Sequence, residues 1–133
     1  MITPADLFML ALCMYREDRS GGQTGMTAVG CVVRNRVTKH RSTYYAEVVK
    51  PWQFSSITAK GDPQLSLYPL ESDPNWAIAQ LLALQITNGT ILDVTDGATL
   101  YYANSIPFPA SWNRAVLTPT VTIGNQFYFK ENA

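Results

Sequence analysis

The stretch Tyr15-Arg16-Glu17-Asp18-Arg19-Ser20-Gly21-Gly22 puts a carboxylate just past an apolar run, Leu7 to Met14, and just before a glycine pair. A carboxylate carried to the end of a buried helix and released into a loop is placed for acid–base work. A general acid must hold a proton to donate, and burial against Tyr15 and other apolar neighbours is the environment expected to favour that form. For that chemistry both neighbouring guanidinium groups, Arg16 and Arg19, must turn elsewhere, with Arg19 the one expected to hold a fixed structural partner. A plainer reading stands beside this one: Glu17 pairs with Arg16 or Arg19 at the surface, where ion pairs are common and contribute little.

Chemistry of this kind depends on the elements that carry it. Thr3 caps and Pro4 starts a first helix, with Asp6 in its first turn, and the helix is apolar nearly all round, as a central core helix is. Gly21-Gly22 breaks it. Thr24 or Gly25 opens a second helix, in which Met26, Val29, Val33 and Val37 keep helical spacing and Arg34 to Arg36 close the run. A short helix, roughly Thr43 to Lys50, is stopped by Pro51. Trp52-Gln53-Phe54-Ser55-Ser56 reads as a loop, and so does Lys60 to Ser72. Asp73-Pro74 then caps and starts a helix that runs through Trp76, Leu82 and Ile86 to Gly89. Beyond it, Ala98 to Ala103 reads as a strand, and Thr120–Ile123 and Gln126–Lys130 form a hairpin around Gly124-Asn125. Helices first and a small antiparallel sheet near the C-terminus make an α+β fold, mainly helical, in a single domain over 1–133.

Composition narrows the function classes. An apolar content of 47% with 15% charged residues fits a chain that buries a core. Ten basic and ten acidic side chains cancel, with no basic run, so nucleic-acid binding has no electrostatic footprint. A single histidine, His40, and no Cys/His cluster leave no zinc ligand set, and no cofactor is expected. Cys13 and Cys31 fall in apolar helical patterns and are expected buried and reduced, though a bridge stays open. The opening residues have no basic n-region, and the apolar run after them is too short to span a bilayer, so neither a secretory signal nor membrane insertion is expected.

Six stretches, taken in order, carry a resemblance: Leu10 to Arg19, "LALCMYREDR"; Gly25 to Val37, "GMTAVGCVVRNRV"; Gln53-Phe54-Ser55; Asp73 to Gly89; Asp96 to Asn104, "DGATLYYAN"; and Ile123 to Phe129, "IGNQFYF". Together they resemble the catalytic domain of spore-cortex-lytic and related bacterial cell-wall hydrolases, the SleB type. That family is similar in architecture to lysozymes and lytic transglycosylases and cleaves the glycan strands of peptidoglycan. Its usual Tyr-x-Glu-Ala-Arg-Gly stands here as Tyr15-Arg16-Glu17-Asp18-Arg19-Ser20, with Asp18 for a small residue and Ser20 for a glycine. The resemblance implies that Glu17 is the catalytic acid, that Gln53 and Ser55 line a sugar groove, and that Tyr102 and Asn104 sit across it. Glycans offer hydroxyls and acetamido groups, so amide, hydroxyl and aromatic partners suit such a groove. Alternatives stay open at several of these positions. Gln53 serves equally as a helix cap. Tyr101 and Tyr102 lie on opposite faces of one strand, so one of them belongs to the core. Trp112 either stacks on a sugar or fills an apolar gap, and Trp76 reads as packing.

Two chemistries fit the implied substrate. A hydrolytic muramidase needs a second carboxylate, and Asp18, Asp62, Asp93 and Asp96 are candidates without a second motif around them. A lytic transglycosylase needs one, because its acid turns base and draws the proton from the C6 hydroxyl of the sugar, closing a 1,6-anhydro ring; the resemblance favours this chemistry. A non-catalytic glycan-binding module with the same groove is a different class. A short catalytic domain without a signal also suits a phage lysis enzyme or a virion-associated one. Such a protein is expected to be monomeric and held in the host cytoplasm until a holin-type partner gives it access to the wall.

Overall fold

The computed structural model describes residues 1–51 and 53–132; Trp52, assigned to a loop by sequence, lies outside them. The first helix, α1, spans Pro4–Asp18. Thr3 caps it as anticipated, and Asp6 completes a capping box beyond that expectation: the Asp6 N–H donates to Thr3 Oγ1 at 3.1 Å and the Thr3 N–H donates to Asp6 Oδ2 at 2.9 Å. Leu10, Cys13 and Met14 are fully buried, so α1 is the central helix, although Phe8 faces outward. A 3₁₀ turn, Arg19–Gly21, follows, and Gly22 takes φ +66°, which releases the chain from the axis of α1.

Helix α2 spans Gly22–His40, starting earlier and ending later than its sequence pattern indicated. It packs along α1, and Gly30 marks where the two meet the later helix α5 (Pro74–Thr87). A Cβ at Gly30 would stand 2.3 Å from Ile86 Cδ1 and 2.5 Å from Met14 Sδ, so this close approach requires glycine. Helix α3, Tyr44–Val49, is capped by Thr43, whose Oγ1 accepts from the Ala46 N–H at 3.1 Å. The expected loop after Pro51 contains one turn of helix, α4, Ser55–Thr58. The next loop contains a 3₁₀ turn, Pro63–Ser66, capped by Asp62. Asp73 caps α5 as anticipated, accepting from the Asn75 N–H at 2.9 Å.

Three antiparallel strands close the fold: β1, Leu100–Ala103; β2, Leu117–Ile123; and β3, Gln126–Glu131, in the order β1-β3-β2. The register sets Tyr101 opposite Tyr128 and Tyr102 opposite Phe127. One face of the sheet packs on Ala28 and Val32 of α2 through Ala98, Tyr101 and Tyr128. The core itself lies among α1, α2, α3 and α5. Cys13 and Cys31 are free and buried. Among the described residues no helix is long and apolar enough to cross a membrane, and no group of three His, Cys, Asp or Glu side chains could hold a metal.

Candidate active site

Glu17 occupies the last turn of α1, where the core ends and a cavity of about 740 Å³ begins. The side chain is half-buried, and both carboxylate oxygens are already engaged. Oε1 accepts from the Tyr101 hydroxyl and Oε2 from the Ser56 hydroxyl. Each donor comes from a different element: Tyr101 from the second position of β1, Ser56 from the single turn of α4. The resemblance points instead to their chain neighbours, Tyr102 and Ser55.

The two arginines flanking Glu17 point away from it. Arg16 is buried and donates through Nη1 to the Ser56 carbonyl at 3.1 Å, and through Nε and Nη2 to the Leu67 carbonyl at 3.2 and 3.1 Å. Arg19 donates to the Tyr15 carbonyl at 3.3 Å and to Gln64 Oε1 at 3.0 Å, and lies over the Tyr15 ring at 4.9 Å. Both therefore clamp the 64–67 loop against α1, and Arg16, not Arg19 alone, has fixed partners. No ion pair involves Glu17 among the described residues.

Burial and charge tune the groups around it. Burial, reinforced by the Glu17 carboxylate, pushes the Tyr101 phenol well above its ordinary value, so Tyr101 stays a hydrogen-bond donor. The Asp18 carboxyl is raised by burial and by Glu17, against the opposing pull of the Gly21 N–H. Gly21 and Gly25 make room for it: a Cβ at either would lie 2.8 or 2.3 Å from the Asp18 oxygens. Behind the site Arg36 is 5% exposed, and burial lowers its pKa from the usual guanidinium value.

Of the residues singled out by sequence, Gln53, Ser55 and Trp112 line the same cavity as Glu17. Tyr102 and Asn104, expected across the groove, are placed differently. Tyr102 packs among Phe108, Trp112, Phe127 and Phe129, at centroid distances of 5.4 to 5.8 Å. Asn104 is exposed after β1, where its N–H donates to the Asn125 carbonyl at 2.8 Å. Strand alternation had already split Tyr101 from Tyr102, but the choice between them depends on which face the helices cover. Choosing Ser56 over Ser55 depends on the turn of α4, which no periodicity announces. Arg36 sat within a quoted stretch, with nothing to mark it as buried beside a cavity.

Residues 20–129 match the Cell Wall Hydrolase family, and they include every cavity-lining residue but Glu17. The chain belongs to that family. Two solved structures are similar in fold over nearly their whole length. One is the catalytic domain of the germination-specific lytic transglycosylase SleB from Bacillus anthracis, 25% identical, covering 96% of each chain with a TM-score of 0.73. The other is the catalytic domain of the Bacillus cereus SleB protein, 23% identical, covering 98% of this chain and 93% of that one, also with a TM-score of 0.73. No curated protein matches the chain in sequence. The cell-wall hydrolase is thus an enzyme with a SleB-type catalytic fold, mainly helical with a small antiparallel sheet near the C-terminus. Because Glu17 precedes the matched segment by three residues, its standing rests on geometry: among the described residues it is the acidic side chain that faces the cavity.

Proposed function

We propose that this cell-wall hydrolase is a lytic transglycosylase that cleaves peptidoglycan glycan strands between N-acetylmuramic acid and N-acetylglucosamine, with Glu17 as both acid and base. In the first step protonated Glu17 gives its proton to the glycosidic oxygen as the C1–O bond breaks. The resulting carboxylate accepts from Tyr101 and Ser56, which stabilise the charge at the moment it forms. In the second step the carboxylate takes the proton of the C6 hydroxyl, and that oxygen closes on C1 to give the 1,6-anhydro end. No water is consumed, and Glu17 recovers its proton. Gln53 and Ser55 supply amide and hydroxyl groups to the sugars, and Trp112 supplies an aromatic face, backed edge-on by Tyr102 at 5.7 Å.

The observation that carries this reading is the single carboxylate at the cavity. Among the described residues Glu17 is the one acidic group lining it. The four aspartates considered for a second role are placed elsewhere. Asp62 caps a 3₁₀ turn, Asp93 is held by Thr95, Asn35 and the Gly97 N–H, Asp96 is exposed in a turn, and Asp18 is buried behind Gly21 and Gly25. A hydrolytic muramidase would need one of them beside the scissile bond. The likeness to SleB of Bacillus anthracis, a lytic transglycosylase, supports the same chemistry. Mass analysis of purified cell wall digested with the enzyme decides the matter. Anhydro-muramyl ends, lighter than hydrolysed ends by one water, are expected; reducing ends throughout would replace this mechanism with a hydrolytic one.

A further inference from the structure

Arg36 poses a problem that the proposed chemistry does not answer. It projects from α2 into the wall of the Glu17 cavity, is 5% exposed, and has no carboxylate within ion-pair distance among the described residues. Among the described residues its Nη1 is buried without a hydrogen-bond partner. A buried guanidinium without a counter-charge is costly, and its orphaned N–H adds to that cost. Its other contacts show what it holds in place. Nε donates to the Thr99 carbonyl at 2.6 Å, and the guanidinium lies 4.9 Å from the centre of the Phe54 ring.

Those two residues occupy equivalent places in the site. Thr99 stands two residues before Tyr101, at the entry to β1; Phe54 stands two residues before Ser56, at the cap of α4. Tyr101 and Ser56 are the two hydroxyls on the Glu17 carboxylate. Arg36 therefore ties together, from a third element, the two segments that deliver those donors. The two segments are otherwise anchored separately: α4 lies against α1, with Arg16 on the Ser56 carbonyl, whereas β1 is held by its pairing with β3.

We propose that Arg36 is a positioning residue that sets the Tyr101 and Ser56 hydroxyls on the two oxygens of Glu17, by bracing the strand entry and the α4 cap at once. Its kinetic part rests on Glu17 acting as proposed above; its structural part does not. A planar fork with a ring-stacking face suits this double contact, and a lysine ammonium cannot reproduce it.

Two arms test it. Crystal structures of Arg36→Lys and Arg36→Met are expected to show at least one of the two hydroxyls withdrawn from Glu17. Both hydroxyls still in place would overturn the proposal whether or not the enzyme cuts glycan. The second arm is a kinetic cycle on purified glycan strands. Either substitution is expected to lower kcat by about thirtyfold while moving KM by no more than about twofold, because bracing acts on the reacting group and not on sugar binding. In a Ser56→Ala/Tyr101→Phe background the same substitution should cost no more than about twofold, since the groups it positions are gone. An equal loss in both backgrounds, or full activity of Arg36→Lys, would reduce Arg36 to a packing residue. Wild-type enzyme that leaves glycan strands uncut would sink the functional reading, and the crystallographic arm would still decide the bracing.

Discussion

Tyr101 and Tyr102 are adjacent in the chain, identical in type, and opposite in fate. The side chain of Tyr101 turns toward α2, stacks on Tyr128 at 5.4 Å, and reaches the Glu17 carboxylate. Tyr102 turns to the other face of the sheet, into an aromatic cluster with Phe108, Trp112, Phe127 and Phe129, with Arg114 3.8 Å from the Phe108 ring centre. The first face is buried against helices, where a hydroxyl is held as a donor to a carboxylate. The second is covered by the 104–116 loop through Phe108 and Trp112, where aromatic edges and faces do the packing and Trp112 reaches the cavity. A residue's chemistry here follows from which layer covers its face of the sheet, because a strand offers alternate residues to environments of different polarity.

The largest expected effect tests the carboxylate on which the helix-covered face converges. Glu17→Gln keeps the shape of the side chain but can neither give nor take the proton, so activity should fall by on the order of a hundredfold or more with the fold intact. Comparable turnover on purified cell wall would remove Glu17 from the mechanism. Next comes the contrast between the tyrosines. Tyr101→Phe removes one donor from Glu17 and should lower kcat by roughly tenfold or more, whereas Tyr102→Phe should stay within about twofold. The reverse order would move the groove to the other face of the sheet. A parallel contrast separates Ser56 from Ser55. Ser56→Ala should lower kcat by about tenfold, while Ser55→Ala should act mainly through KM, as the loss of a sugar contact would.

The smallest effect concerns stability beneath the same face. Folding raises the Asp18 carboxyl, so the stability linked to it is present below the ordinary aspartate range and is lost as the pH rises through the raised value. Asp18→Asn mimics the protonated form and keeps an acceptor for the Gly21 N–H. Its melting temperature should exceed that of the parent at pH 7, and the gap should close as the pH falls below the ordinary aspartate range. A gap independent of pH would assign the change to packing against Gly21 and Gly25 and not to charge.

How much of this was legible differs between elements for physical reasons. The Thr3 cap of α1, the Asp73-Pro74 start of α5 and the Gly124-Asn125 hairpin are local events: each cap is a side chain reaching a backbone N–H two or three residues away, and the turn uses a glycine at φ +57°. They and the helical spacing of Met26, Val29 and Val33 sufficed for a mainly helical α+β domain. The place of Glu17 at the end of the first helix was legible too, through the apolar run before it and the glycines after it, whereas the role expected of it came from the resemblance. The rest needed the tertiary structure, because it depends on pairs far apart in the chain. Ser56 meets Glu17 across 39 positions, Tyr101 across 84, and Arg36 meets Thr99 across 63. No local pattern records such meetings. They are decided by which face of β1 the helices cover, by one turn of helix at Ser55–Thr58 that brings Ser56 inward, and by the packing of α2 that lays Arg36 between them.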